Sequence, residues 1–432
     1  MQNYQLGSSG GDEKTKYALS LNYFNQQGII INSNFKRYAA RFNFEKKATE
    51  KLTIGLHLTS SRSDANQALS ATNGGEGTIG VVQSALAFSP ILPVYQANGS
   101  YVLENDRGIP MGNPVATARE LTNRTRSYRT LGNVFAEYKL LDGLRFKTSV
   151  GADILNNKEN YYAPRTTLAG YNVQGLGRVG TVNAYSILNE NTLSYQRRFG
   201  EHELNLLAGF TAQKYERELV LASASGFVND LLGPDNLGAG SFINAPTTNV
   251  NNWSLLSWIG RANYGYHDKL LLTLTGRVDG SSKFGVNNRY GFFPSGALAY
   301  KLSEENFIKN LHTFSELKLR ASYGRTGNQE IDSYQSLARL GSMSYIIGDN
   351  VLKGFSPSNI ANPDLKWEST SQFDIGLDAG FLQGRINLMA DLYYKKTKDM
   401  LLWVNVPWSS GFSSALQNIG SMENRFGVGT AS

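Results

Sequence analysis

The sequence has no cysteine in 432 residues and only four histidines. The first absence excludes a disulfide framework and thiolate metal sites. The second leaves His57, His202, His267 and His312 scattered, never four apart on one face as a metal motif needs, and no metal or other cofactor is expected. Lack of cysteine fits an oxidising compartment, but many cytosolic proteins share it. Long apolar runs are missing too: none approaches the roughly 20 residues of a spanning helix. Lys and Arg outnumber Asp and Glu by 42 to 35, a net charge of +7. No basic run or recognition motif concentrates that charge, so no nucleic-acid partner is expected. Catalytic signatures are lacking as well, with no G-x-S-x-G elbow and no thiol nucleophile. Asp374 and Asp378 share a strand face, but four residues of strand separate carboxylates by roughly 13 Å, against about 5–5.5 Å for a retaining glycosidase. The expectation is that the chain is not an enzyme. GLGRVG at 175–180 has the glycine spacing of a dinucleotide loop. It follows a loop and runs into the strand-like TVNAYSILNENTLSY, so no helix N-terminus is available for phosphate.

What the chain has instead is alternation. In 384–398, Ile386, Leu388, Ala390, Leu392 and Tyr394 fall on one side, with Arg385, Asn387, Met389, Asp391, Tyr393 and Lys395 on the other. A strand has a side-chain period of two, so this is a strand with one apolar and one polar face. Leu52, Ile54, Leu56 and Leu58 repeat the pattern, as do Leu144, Phe146, Thr148, Val150 and Ala152, and Phe373, Ile375, Leu377, Ala379 and Phe381. The 44 glycines, 23 tyrosines and 21 phenylalanines suit an all-β chain with many turns. Fourteen strands are predicted, near 2–9, 15–25, 35–47, 51–64, 127–141, 143–157, 182–199, 202–221, 252–267, 269–282, 290–302, 314–326, 368–382 and 384–399.

The connectors alternate in length. SGGDEK, ATEK, LDG, FGEH, YHDK and LQG are short; a seventh of that set, SEENFIKNLHTF, suggests a helical turn capped by Ser303. The others are long or rich in Gly, Asn and Pro: 65–126, 158–181, 222–251, 283–289, 327–367 and 400–422, with GIIINSN an early short exception. Many alternating strands with short turns at one end and long loops at the other predict an antiparallel transmembrane β-barrel with short periplasmic turns and long extracellular loops. The apolar face, Leu388 and Leu392 included, would then meet lipid near mid-membrane. Tyr264, Tyr266, Trp403 and Trp408, near strand ends, fit interface girdles, although strands are rich in aromatics anyway. In the long loops, Tyr95, Asn98, Tyr101, Tyr161, Tyr162, Tyr171, Tyr345 and Asn350 offer rings and amides that can stack on and hydrogen-bond sugars or peptides. Packing of the loops against each other explains the same residues.

Six ordered segments resemble the SusC/RagA family of TonB-linked (TonB-dependent) outer-membrane transporters: SGGDEKTKYALSLNYFNQQGIIINSNFKRYAARFN near the N-terminus, RVDGSSKFGVNNRYGFFPSGALAYKLSEENF at 277–307, LKLRASYGRTGNQEI at 317–331, NPDLKWESTSQFDIGLDAGF at 362–381, RINLMADLYYKKTKDML at 385–401 and QNIGSMEN at 417–424. The resemblance implies that 1–432 is a piece of the receptor β-barrel domain, about 14 of an expected 22 strands. Neither a plug domain, a TonB box nor a signal peptide is recognisable, and the closing strands are missing. RFGVGTAS departs from the expected continuation after SMEN. The same resemblance implies import of oligosaccharides, glycans or peptides across the cell outer membrane of a Gram-negative, Bacteroidetes-type bacterium. The implied partners are a SusD-like surface lipoprotein, the TonB complex and outer-membrane lipid. A passive outer-membrane channel and a soluble all-β glycan-binding domain remain the alternatives.

Overall fold

A computed structural model describes residues 1–69, 80–103 and 111–431. Its main feature is one antiparallel sheet of fifteen strands. In chain order these are β1 Gln2–Gly11, β2 Thr15–Gln27, β3 Asn34–Lys47, β4 Leu52–Asn66, β5 Thr122–Leu141, β6 Leu144–Ala163, β7 Leu176–Phe199, β8 His202–Phe227, β9 Gly240–Tyr266, β10 Leu270–Ser281, β11 Tyr290–Lys301 and β12 Phe314–Asn328. Two hairpins intervene, β13 Leu340–Ile347 with β14 Asn350–Pro357, and β17 Leu401–Asn405 with β18 Ser414–Asn418. Around the second hairpin, β15 Glu368–Phe381, β16 Ile386–Lys398 and β19 Ser421–Ala431 complete the sheet. Helices are short: α1 Val81–Ala87, α2 Pro114–Glu120, α3 Leu168–Tyr171 and α4 Asn306–Lys309. All fourteen predicted strands are present, and β19 is a fifteenth.

Every strand of the sheet pairs with the next sheet strand along the chain, the two hairpins standing outside it, so every second connector lies at the same end. One rim carries the tight turns and the 302–313 connector, and the other carries the remaining long segments. Several long segments are shorter than expected. β6 and β7 extend into 158–181 and leave 164–175, and β8 and β9 extend into 222–251 and leave 228–239. Ser303 does not cap a helix: it lies inside a 3-10 turn, Leu302–Glu304, and Glu305 is the N-cap of α4. Trp403 is on the loop hairpin rather than on a sheet strand, and Trp408 is in the turn that closes it, so neither marks a sheet end. Gly175 and GLGRVG open strand β7, with no helix following.

The register keeps the two faces distinct across the sheet. On one face Leu392 pairs with Ile375, which pairs with Ala321, which pairs with Leu298. Leu6, Leu21, Leu58, Val134, Val150, Leu274, Leu298 and Leu392 are exposed on that face. The surface totals 26720 Å², against about 16,000 Å² expected for a globular monomer of this length. The excess is the signature of a sheet that uses no second layer to cover its apolar side. A polar patch interrupts that side. Thr148 Oγ1 donates to Asn191 Oδ1 (2.8 Å), Asn191 Nδ2 to Asn189 Oδ1 (2.7 Å) and Asn189 Nδ2 to the Ser149 carbonyl (3.1 Å). Each group satisfies the next, which lowers the cost of placing amides there.

The buried core lies in the loops. Phe284, Phe293, Leu365, Trp367 and Leu416 form one cluster. It joins the 282–289 connector, β11, the segment before β15 and β18. Trp367 packs on Phe284 (5.0 Å between centroids) and Phe293 (5.3 Å), and its indole N–H donates to the Arg289 carbonyl (2.9 Å). Asn362 Nδ2 reaches the Leu416 carbonyl, and Asn418 Nδ2 reaches the Lys366 and Asp399 carbonyls. Gly285 approaches so closely that a Cβ there would lie 1.6 Å from the Pro363 carbonyl oxygen. The KFG and NPDLKW segments are thus two halves of one clasp.

Two outcomes follow. Leu392 is six residues into β16, roughly 15 Å above the short-turn rim for a strand tilted about 40°. Arg at Leu392 should cost about 2–4 kcal/mol of folding free energy in a bilayer. Leu388 is only two residues into the strand and should tolerate Arg at about 0–1 kcal/mol. Asn387→Arg on the polar face is the control, because Asp391 is already paired with Arg320. Folding titrations into lipid vesicles would measure this, and equal costs at Leu392 and Asn387 would reverse the faces. Secondly, Trp367→Ala should destabilise the clasp by about 3–5 kcal/mol. The readout is faster hydrogen exchange in 282–289 and 399–420, with the sheet strands unchanged.

Candidate functional site

The polar face is a wall of paired charges. Arg320 holds Asp378 by three hydrogen bonds, the shortest 2.7 Å, and reaches Asp391 at 2.9 Å, while Lys318 approaches Asp378 at 3.4 Å. The register makes this possible. Arg320 on β12 lies opposite Gly376 on β15, which lies opposite Asp391 on β16, and the missing side chain lets the guanidinium cross the middle strand. Farther along the sheet, Arg129 makes a two-bond pair with Asp153 (2.9 and 2.6 Å), and Arg145 bonds Glu137 (2.9 Å). Lys147 lies 4.4 Å from the Phe135 ring centre. Arg277 holds Asp279 and donates to Ser257 Oγ at 3.0 Å. These pairs present many donors and acceptors with little net charge of their own, which suits hydroxyl- or amide-rich solutes. No group of three or more metal-ligating side chains forms among the described residues.

The six tyrosines singled out in the loops do not converge. Tyr95 and Tyr101 do meet, with rings 5.0 Å apart and a backbone bridge between them. Tyr101 donates to Glu120 Oε1 at 3.0 Å, and Arg119 reaches the Tyr95 hydroxyl at 3.4 Å. Lost hydration, then the Glu120 and Tyr95 hydrogen bonds, push the Tyr101 hydroxyl up to about 12. Tyr161 and Tyr162 are buried. Tyr161 packs with Leu121 and Ala163, and Tyr162 with Ala224 and Phe227, its hydroxyl donating to Asp230 at 2.7 Å. Both brace the loop between β6 and β7 and present no free ring. Tyr171, at the end of α3, and Tyr345, on β13, remain exposed. Asn98 accepts from the Ser100 N–H and hydroxyl and so stabilises its own turn. Asn350 opens β14.

Sequence reasoning missed the Arg320–Asp378–Asp391 cluster. Each member is visible as a charge on a polar strand face, but their meeting depends on a register spanning 71 positions of chain. It also missed the Trp367 clasp, although KFG and NPDLKW both lie in segments that carried the resemblance.

Comparison with known proteins fits this architecture. Residues 2–428 match the family model "TonB dependent receptor-like, beta-barrel". The chain is 39% identical over 426 residues to TonB-dependent receptor P3 of Formosa agariphila, covering 98% of this chain and 42% of that protein. It is 29% identical over 461 residues to TonB-dependent receptor SusC of Bacteroides thetaiotaomicron, covering 98% and 43%. Among solved structures, the RagAB peptide transporter superposes with a TM-score of 0.85 at 30% identity, covering 99% of this chain and 48% of that one. The chain thus spans less than half the length of these relatives. With its strand alternation, two-rimmed sheet and near end-to-end match, it belongs to the TonB-dependent receptor β-barrel family.

Proposed function

We propose that this chain forms wall and outer loops of a TonB-dependent importer in the outer membrane of a Gram-negative bacterium. The carrying observation is the union of an uncovered apolar face, a polar face bearing paired charges, and one rim bearing the longest loops and both hairpins. The apolar face meets lipid, the polar face lines the path, and the long-loop rim faces outward. Substrates of the oligosaccharide, glycan or peptide class suit the path, because its paired charges offer hydrogen bonds without strong selectivity for sign. The name of the RagAB peptide transporter and the name SusC support this reading as properties of those proteins. A SusD-like surface lipoprotein is the proposed partner at the outer rim. The β13–β14 hairpin supports it: Tyr345, Ile346, Ile347, Val351, Leu352 and Phe355 are all exposed there, more apolar surface than a solvated hairpin needs. Tyr95, Tyr171 and Tyr345 are the proposed substrate-facing residues. Energy would come from the TonB complex.

Topology is checked by single-cysteine labelling of intact cells with a membrane-impermeant thiol reagent, which the absence of native cysteine makes clean. Ser241→Cys and Ser342→Cys should label. Asp142→Cys and Gln383→Cys should not. Asp142 is preferable to Gly143, where φ is +81° and a Cβ would lie 2.3 Å from the Gln196 carbonyl oxygen. Labelling of the short-turn positions would invert the orientation. The transport reading is checked by uptake of fluorescently tagged oligosaccharides and peptides into the host. Loss of uptake on deleting the gene, and on collapsing the proton gradient, is expected. Uptake that survives collapse of the gradient would identify a passive channel instead.

A further inference from the structure

The apolar face changes character toward the long-loop rim on β1 to β6. One row of paired positions crosses five strands as Tyr4, Tyr23, Tyr38, Arg62 and Tyr128. Tyr4 and Tyr23 are stacked at 6.2 Å, Tyr23 and Tyr38 are 5.1 Å apart, and Arg62 lies 5.4 Å over Tyr128. Two residues nearer the rim, the next row contains Lys36, Asp64, Arg126 and Lys158. Arg124 is two residues farther on. Arg62, Arg124 and Arg126 all converge on Asp64, at 3.1, 3.3 and 3.0 Å. Three arginines on β4 and β5 therefore share one carboxylate, which is mostly covered while the guanidiniums stay half-exposed, and Lys36 and Lys158 stand at the two ends of its row. Glu216 and Glu218 bound the patch from β8, on the far side of β7.

Immediately below the tyrosine row the side chains become small: Ala40, Ser60 and Thr130 are paired neighbours. The dip forms a groove of about 640 Å³ lined by Leu6, Leu21, Tyr38, Ala40, Arg62 and Tyr128 among others. Arg62 is ten residues into β4, roughly 25 Å above the opposite rim for a tilted strand, which is the height of the apolar band of such barrels. Tyr128 and Tyr38, paired with Arg62 on either side, stand close to that level, where tyrosines are interface residues. A cationic cluster directly above them stands at headgroup height, and a groove below them stands at acyl-chain depth.

We propose that this is a binding site for an acylated lipid of the outer leaflet whose headgroup carries phosphate. One chain lies in the groove over Ala40 and Ser60, and the phosphate is held by Arg62, Arg124 and Arg126. Guanidinium forks match phosphate oxygens in charge and geometry. Asp64 holds the three side chains together while neutralising only one of them. Exposed ion pairs add little to stability, so stability alone does not account for three arginines around one acid. The site rests on the outer-membrane reading above.

The test uses the protein extracted from outer membranes in detergent, with diphosphoryl lipid A, its dephosphorylated form and inorganic phosphate as probes in native mass spectrometry. Membrane fractionation comes first, and absence from the outer membrane would overturn the outer-membrane reading and the site with it, whereas the arms below test the site alone. Wild-type protein should hold diphosphoryl lipid A and lose it as salt is raised. R124Q/R126Q should weaken this binding by about tenfold or more. A40W, which fills the groove and leaves the arginines intact, should weaken it to a similar extent, and K46Q at the opposite rim should not. Equal binding of the phosphorylated and dephosphorylated lipids would overturn the headgroup half, and an unchanged A40W the acyl half. Displacement of the lipid by equimolar inorganic phosphate, or an equal loss in K46Q, would reduce the site to non-specific charge and overturn the proposal.

Discussion

A strand in hydrocarbon must pair both of its edges, because no water is present to satisfy its N–H and C=O groups. That one constraint organises this protein. It demands a continuous ladder, and the ladder runs from β1 to β19 with every neighbour antiparallel. A continuous ladder with period-two side chains then assigns every residue to lipid or to the interior path. The three register irregularities of the sheet, near Leu141, Leu221 and Phe314, all lie toward strand ends, where they leave the mid-sheet assignment of faces undisturbed. No central core is needed, and none forms in the sheet.

The constraint also explains what was legible in the sequence. Where one face meets lipid, alternation is strict, and strands such as Leu52–Asn66 and Ile386–Lys398 could be read to within two residues. Beyond the membrane both faces are wet, and strands lose their pattern while keeping their pairing. GSFINAPTTNVN reads as a polar loop, yet it forms the first half of β9 because β8 continues beside it and pairs with it. KENYYA extends β6 for the same reason. The hairpin at 340–357 had a local signal, GD between two apolar stretches, with Gly348 at φ +62°, but it was hidden inside a long segment of turn-rich composition.

Legibility of the candidate site was poorer because its contacts are between strands. Tyr161 and Tyr162 looked alike and adjacent, and both proved to be buried for different reasons, one on Leu121 and the other on Phe227. Tyr345 looked no more accessible than either, yet remains exposed on its hairpin. The residue types were visible and the geometry was not. A charge on a polar face announces a wall; only the register tells which charge it neutralises.

The clasp built around Trp367 divides the outer rim into two kinds of segment. The 282–289 connector, the 361–367 stretch and the β17–β18 hairpin share one buried cluster, so lengthening or rewriting any of them disturbs the other two. The β13–β14 hairpin pairs only with itself. As far as packing within the chain is concerned, 340–357 can change by insertion, deletion or exchange, limited by its own partners alone, while the clasped segments are bound to change in concert or stay as they are. Variation should therefore be freer in that hairpin than in the clasped segments, which should drift as one unit.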